Sequence, residues 1–279
     1  MTGNFLHRLR HRWAVARRFS RAACGWRDIG PLFLAGIARQ RPFAGNSAYA
    51  RLGRMGGPIV KPRVAGGSRL ALDLRDATDL MIFEEIFLDG IYPLDSVPFA
   101  PDVVVDCGAC AGFFTLLVHA RHAASQFHLF EPNPVNLTRL RHNLALNAID
   151  ATVHAAAVGI AAGTARFCGE GFGGHLAGRD TAKSIEVVVV DLARFLRETR
   201  PQRLLLKIDI EGAEATLLPT LESVLPPTTA LFLETHQPEA VWRGYLQPLL
   251  NAGFRHHEIR RRHDSAAGTD YVEHVLLRT

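Results

Sequence analysis

The sequence predicts an α/β domain built on a mostly parallel, doubly wound sheet, and three observations carry that expectation. Apolar runs of strand length alternate with helical stretches from about residue 102 to the C-terminus, the pattern of βαβ units covered on both faces. One run, Val103-Val104-Val105, ends in Asp106 and passes through a small-residue loop into a helical stretch. The last two strand-like runs are separated only by residues 260–269. That is too short for a crossover helix, so those two are expected to pair antiparallel.

Taken in order, residues 43–67 are rich in Gly, Pro and Arg and predict a loop or linker. Residues 69–74 alternate like a strand, and 79–88 carry a helical stripe that Asp89-Gly90 ends. Strands are expected near 102–106, 126–131, 152–158, 203–209, 229–235, 254–260 and 271–278. Helices are expected near 112–123, 135–147, 191–199, 213–224 and 239–252, with Pro134 suited to the first turn of the second. Residues 163–190 interrupt the series with two short strand-like runs around a Gly-rich loop and predict an insertion.

At 279 residues and 48% hydrophobic, the chain can bury a large core. The expected division is a basic N-terminal arm and linker over 1–69 and one enzyme-sized domain over 70–279. Charge supports it. Residues 1–69 hold 14 Lys and Arg against the single acid Asp28, while the remainder is acidic, so the overall +5 belongs to the arm. Phe5, Leu9, Trp13 and Ala16 fall on one helical face among Arg8, Arg10, Arg12, Arg17, Arg18 and Arg21. Such a helix suits an anionic membrane surface, nucleic acid or an acidic partner. It equally suits a solvated arm that packs on the domain or on a second copy, or a cleaved targeting peptide. Among external partners the anionic membrane surface is the one carried forward, and no nucleic acid partner is expected.

Four cysteines (Cys24, Cys107, Cys110 and Cys168) make no disulfide framework, and no apolar run is long enough to span a membrane. A reducing, cytoplasmic setting is expected, with the arm as a route to the inner membrane face. Cys107 and Cys110 form a CxxC inside the small-residue loop after Asp106, where small side chains explain them more simply than a metal or redox pair.

The loop after Asp106 has the spacing D-x-G-x-x-x-G, not the G-x-G-x-x-G of a dinucleotide site, and Cys110 replaces the middle glycine. An acid two residues before the first glycine repels a pyrophosphate but suits a ligand carrying an ammonium and a sulfonium. Glu131 ends the next strand, in Glu131-Pro132-Asn133-Pro134, where an acid can accept from both ribose hydroxyls. Further on, Lys207, Asp209 and Glu211 share one face at a period of two in an otherwise apolar run. Ionisable groups in a buried strand are costly unless they act, although a Lys207–Asp209 ion pair would also account for two of them. Glu234 and His236 share a face at the end of the following strand and should lie beside Asp209 if the strands are neighbours.

Together these segments resemble the FkbM-type S-adenosylmethionine-dependent methyltransferases. The resemblance rests on residues 103–116, on EPNP at 131–134 and AAVG at 156–159, and on LLLKIDIEGAE at 204–214 and LETH at 233–236. It implies a Rossmann-like seven-stranded sheet with its last strand antiparallel, and O-methylation of a hydroxyl on a sugar, glycan or natural product. It further implies that Asp106, Gly108, Ala109 and Gly112 cradle the methionine end of S-adenosyl-L-methionine. Glu131 would hold the ribose, with Asn133 counted beside it, and Ala157 and Val158 would meet the adenine. Asp209 would stand where donor and acceptor meet. A sugar hydroxyl is a poor nucleophile and needs a base. His236 is the first candidate, Asp209 or Glu211 the second, with Glu234 orienting the imidazole. A divalent metal on Asp209, Glu234 and His236 would activate the hydroxyl another way. Two other classes stay open: a nicotinamide-dependent oxidoreductase or sugar epimerase, and a non-catalytic cofactor-fold binding module. The chain has four Tyr and three Lys, none spaced as Tyr-x-x-x-Lys, which weakens the first of these.

Overall fold

The computed structural model describes residues 13–23, 29, 30, 32, 59–62, 70–75, 77–168, 175–177, 184–264 and 269–279. Expectations for residues 1–12, for most of 43–67 and for the Gly-rich loop 169–174 lie outside the described residues. The chain forms two compact units, one of residues 1–90, 111–123 and 142–149, the other of 91–110, 124–141 and 150–279.

In the first unit, β1 (Ile59–Val60) pairs antiparallel with β2 (Leu72–Asp73), a short remnant of the strand expected over 69–74. Helix α1 (Ala77–Phe83) widens into a π-helix, Glu84–Asp89, which Gly90 ends at φ +68°. Helix α2 (Phe113–His119) follows. Residues 13–21 are helical. Ala16 and Phe19 are fully buried there, while Trp13 is 59% exposed, so the two arm residues expected to share a face diverge. Phe19 packs on Phe83, Phe83 stacks on Phe87, and Phe87 meets Phe113 edge-on. Arg18 pairs with Glu84 at 3.2 Å and also with Asp89. This part of the arm is therefore packed and ion-paired within its own unit.

The second unit carries the expected sheet. Its strands are β3 (Val103–Cys107), β4 (Gln126–Phe130), β5 (Thr152–His154), β10 (Arg203–Ile208), β11 (Thr228–Thr235), β12 (Arg255–Asp264) and β13 (Thr269–Arg278). Their order is β12-β13-β11-β10-β3-β4-β5, parallel from β11 through β5, with β13 antiparallel to both neighbours. Helix α3 (Pro134–Leu146) starts at the proline expected to open it. On one face, α4 (Leu192–Thr199), α5 (Glu214–Leu221) and α6 (Glu239–Asn251) close over Val103, Val105, Leu204, Leu206, Leu231 and Leu233. Val104, Leu205 and Ala230, which face the other way, are equally buried, which is why these strands read as unbroken apolar runs.

One expected strand is divided. Residues 152–158 split at Ala155 into β5 and β6 (Ala156–Gly159), and β6 leaves the main sheet. With β7 (Gly163–Cys168), β8 (His175–Ala177) and β9 (Ile185–Asp191) it forms a second sheet ordered β6-β9-β7-β8. The expected insertion is thus a small sheet that begins one strand earlier, with β9 parallel to β6. Sequence pattern registers strand character but not which partner a strand takes, and no Gly or Pro marks the break.

Strand order reverses between β3, whose chain continues outward through β4 and β5, and β10, which continues the other way through β11. Such a switch point leaves a crevice at the carboxyl ends of the two central strands, where open α/β sheets bind ligands.

Candidate active site

Register places the charged residues at that crevice. Asp106 of β3 pairs across from Lys207 of β10, and Lys207 pairs in turn with Phe232 of β11. Asp106 has no exposed surface, and the Lys207 ammonium lies 3.4 Å from it and 3.4 Å from Asp209. The same ammonium donates to the Gly108 carbonyl at 2.9 Å, tying the loop to the central strand. Burial alone would depress Lys207, but Tyr92, Asp209, Asp106 and Glu234 around it hold its pKa well above the usual value. It is a fixed cation.

The loop closes against β4. The N–H groups of Gly108 and Ala109 both donate to the Phe130 carbonyl at 3.0 Å. Gly108 has φ +79°, and a Cβ there would collide with the Asp209 carbonyl oxygen, so only glycine lets β3 and β10 end this close together. Cys110 adopts the left-handed region without being glycine, at φ +48°. Its N–H donates to Glu131 Oε2 at 2.9 Å, and Asn133 N–H donates to Glu131 Oε1 at 2.7 Å. With a third hydrogen bond from the Asn136 side chain, the carboxylate keeps one of its four lone-pair sites for a further donor. Burial raises the Glu131 pKa against the pull of those hydrogen bonds. Asn133 is buried, and its side-chain oxygen accepts from Val135 N–H at 2.9 Å. Gly112, with φ +85°, opens α2 and belongs to the first unit.

Ala157 and Val158 do not share a side. As neighbours in β6 they point oppositely: Ala157 packs with Phe167, Val187 and Val189, and Val158 faces the main core. Val158 also lines an open cavity of about 380 Å³ formed by residues 158–165 with Val189, Ala213, Thr216 and Leu217.

The expectation that Lys207, Asp209 and Glu211 continue along one face holds only in part. β10 stops at Ile208, and the chain turns through Glu211 (φ +56°) and Gly212 (φ +107°). Lys207 and Asp209 stay with Asp106, whereas Glu211 swings to His236.

Three carboxylates surround His236. Its Nδ1 faces Glu214 Oε1 at 3.2 Å, and its Nε2 faces Glu234 at 3.3 Å and Glu211 at 3.4 Å. Burial would lower the imidazole pKa, but the hydrogen bonds to Glu214 and Glu234 outweigh it and push the value up to about 11. The ring carries a proton at neutral pH. Glu211 moves the other way: burial, with Asp209 and Glu234 nearby, pushes its carboxyl up to about 8. Asp209, Glu234 and His236 each offer one donor atom, all within 4.8 Å of one another. The side chains of Asp209, Glu211 and Glu234 remain 26%, 25% and 18% exposed, so they form the open rim of the site.

Two site residues escaped the sequence reading. Glu214 looks like an ordinary acid at a helix start, yet it is fully buried against His236. Tyr92 lies in an irregular segment with no flanking signal. Its ring packs on Phe232 at 5.5 Å between centroids, and burial keeps its phenol protonated within the field of Lys207, Asp209, Glu234 and Asp106.

Residues 106–263 match the model of the methyltransferase FkbM domain family. A methyltransferase of Sordaria araneosa, sdnD, is 28% identical over 209 residues, covering 61% of this chain and 79% of the relative. Among solved structures, an FkbM methyltransferase from Methylobacillus flagellatus aligns with a TM-score of 0.43 and 13% identity over 94% of this chain and 58% of that one. A precorrin-6y C5,15-methyltransferase from Geobacter metallireducens aligns at 0.44 and 11% over 69% and 89%.

Proposed function

Since the chain belongs to the methyltransferase FkbM family, we propose that it uses S-adenosyl-L-methionine to methylate a hydroxyl of a sugar, glycan or natural product. The observation that carries this reading is the charge balance at the switch point. Among the described residues, Asp106, Asp209, Glu214 and Glu234 converge there, with Glu211 held largely protonated, against Lys207 and His236. An anionic crevice of this kind fits a cofactor bearing a sulfonium and an ammonium, and disfavours the pyrophosphate of a dinucleotide. Glu131, at the end of the adjacent strand β4, keeps a lone pair to accept a ribose hydroxyl.

Bound there, the cofactor supplies a methyl carbon activated by its sulfonium. The chain's own residues align the acceptor, exclude water and take the proton of its hydroxyl. Both nitrogens of His236 face carboxylates, so the ring holds a proton and organises the rim. The acceptor's proton then passes to a rim carboxylate, with Glu211 the best matched to neutral pH.

Calorimetric titration with S-adenosylmethionine, S-adenosylhomocysteine and NAD tests the cofactor. The first two should bind, Glu131→Ala should lose both, and NAD should give no heat. Binding of NAD alone would sink the proposal and favour the oxidoreductase or epimerase alternative. A screen over neutral sugars and glycans with labelled methyl donor then tests the acceptor class. A second reading rests on the donor spacing of Asp209, Glu234 and His236: those three would hold a divalent ion that acidifies the acceptor hydroxyl. If so, a chelator should abolish turnover and Mg²⁺ or Mn²⁺ should restore it. Chelator-resistant turnover removes that reading.

A further inference from the structure

Glu214 is the first residue of α5, where an acid commonly serves only the helix dipole. A dipole acid can stay in water and needs only the helix's own N–H groups. Glu214 accepts from its own N–H but is not confined to that role. Its side chain has no exposed surface, and Oε1 accepts from the N–H groups of Ile210 at 3.3 Å and Gly212 at 3.1 Å, both outside the helix. The same oxygen meets His236 Nδ1 at 3.2 Å, and Oε2 accepts from Gln237 Nε2 at 3.4 Å. Gln237 also donates to the Gly212 carbonyl at 2.8 Å, and it accepts from the Tyr245 hydroxyl of α6 at 2.8 Å. One carboxylate thus joins the turn after β10, the residues after β11 and, through Gln237, helix α6.

We propose that Glu214 is the positioning residue of this site, clamping the Glu211–Gly212 turn and His236 into one arrangement so that the rim carboxylates meet the acceptor in a fixed geometry. The proposal rests on the methyl-transfer reading above. Glu211 sits in the left-handed region, which a non-glycine residue occupies at a cost and keeps only when its surroundings demand it. The hydrogen bonds to Ile210 and Gly212, on either side of Glu211, supply that demand. A charged acceptor gives them more strength than a neutral one would.

The test compares wild type with Glu214→Gln and Tyr245→Phe. In Glu214→Gln, kcat should fall about tenfold or more, the effect of one charge-assisted hydrogen bond, while affinity for S-adenosylhomocysteine stays within about twofold. The ring N–H signals of His236, read by NMR with no cofactor or acceptor present, should move in the same variant. Tyr245→Phe should change both readouts in the same direction, by less, and serves alone if Glu214→Gln does not fold. Unchanged ring signals would overturn the clamp even in a protein that transferred no methyl group. Loss of cofactor affinity equal to the loss of rate would also overturn it, since that marks a general structural role. Failure of the methyl-transfer reading shows separately, as absent S-adenosylhomocysteine binding in wild type.

Discussion

Burial and ligand contact pull Glu131 in opposite directions, and pH separates them. Its folded pKa lies above the unfolded value because burial penalises the charged form. The cost to stability is therefore present above the folded pKa and is relieved as the pH falls through it. Acidification from neutrality should stabilise wild type relative to Glu131→Gln in thermal melts, while weakening wild-type affinity for S-adenosylhomocysteine. An affinity that did not change with pH would remove Glu131 from the ribose role. Gly108 makes a second case. Gly108→Ala adds a Cβ against the Asp209 carbonyl at a positive φ, so the loss should exceed about 2 kcal/mol, or roughly 5 °C in Tm. A near-wild-type melting temperature would show that the two strand ends can separate. At this scale the sequence marks Asp106, Glu131, Asp209, Glu234 and His236 as chemistry-bearing, because charge in an apolar run is conspicuous. It hides Glu214, whose residue type fits any helix start, and Tyr92, whose role comes from packing on Phe232.

Secondary elements follow local signals where those signals are strong. Asp191 caps α4 by accepting from Arg194 N–H at 2.9 Å, so Asp191→Ala should cost about 1 kcal/mol in a chemical denaturation curve. No change would mean that the helix is held by its apolar face alone. The expected helices near 112–123, 135–147, 191–199, 213–224 and 239–252 all form, with ends at or within four residues of those expected. The strand over 152–158 does not survive as one element, since β5 and β6 take partners in different sheets. The stripe over 79–88 becomes α-helix and then π-helix. Apolar periodicity does not distinguish the two, because they differ by only one residue in the span of each hydrogen bond.

Across the whole chain, stability should be graded outward from the switch point. β3 and β10 have hydrogen-bonded neighbours on both sides and bury Val104, Val105, Leu204, Leu205 and Leu206 almost completely. Their amides should exchange most slowly, and those of β5 and β8 at sheet edges much faster. Uniform protection would contradict that gradient. No helix among the described residues is long and apolar enough to cross a membrane. By itself the sequence determined the alternation of strands and helices, the antiparallel end of the sheet and which strand tips carry charge. All of these are local properties, set by hydrophobic period, turn residues and connection length. The tertiary structure alone decided that Lys207 stays with Asp106 while Glu211 leaves for His236. It alone placed a buried carboxylate, Glu214, against Nδ1 of that ring. Strand register and the left-handed turn at 211–212 set those contacts, and neither is encoded in the residues of any one element.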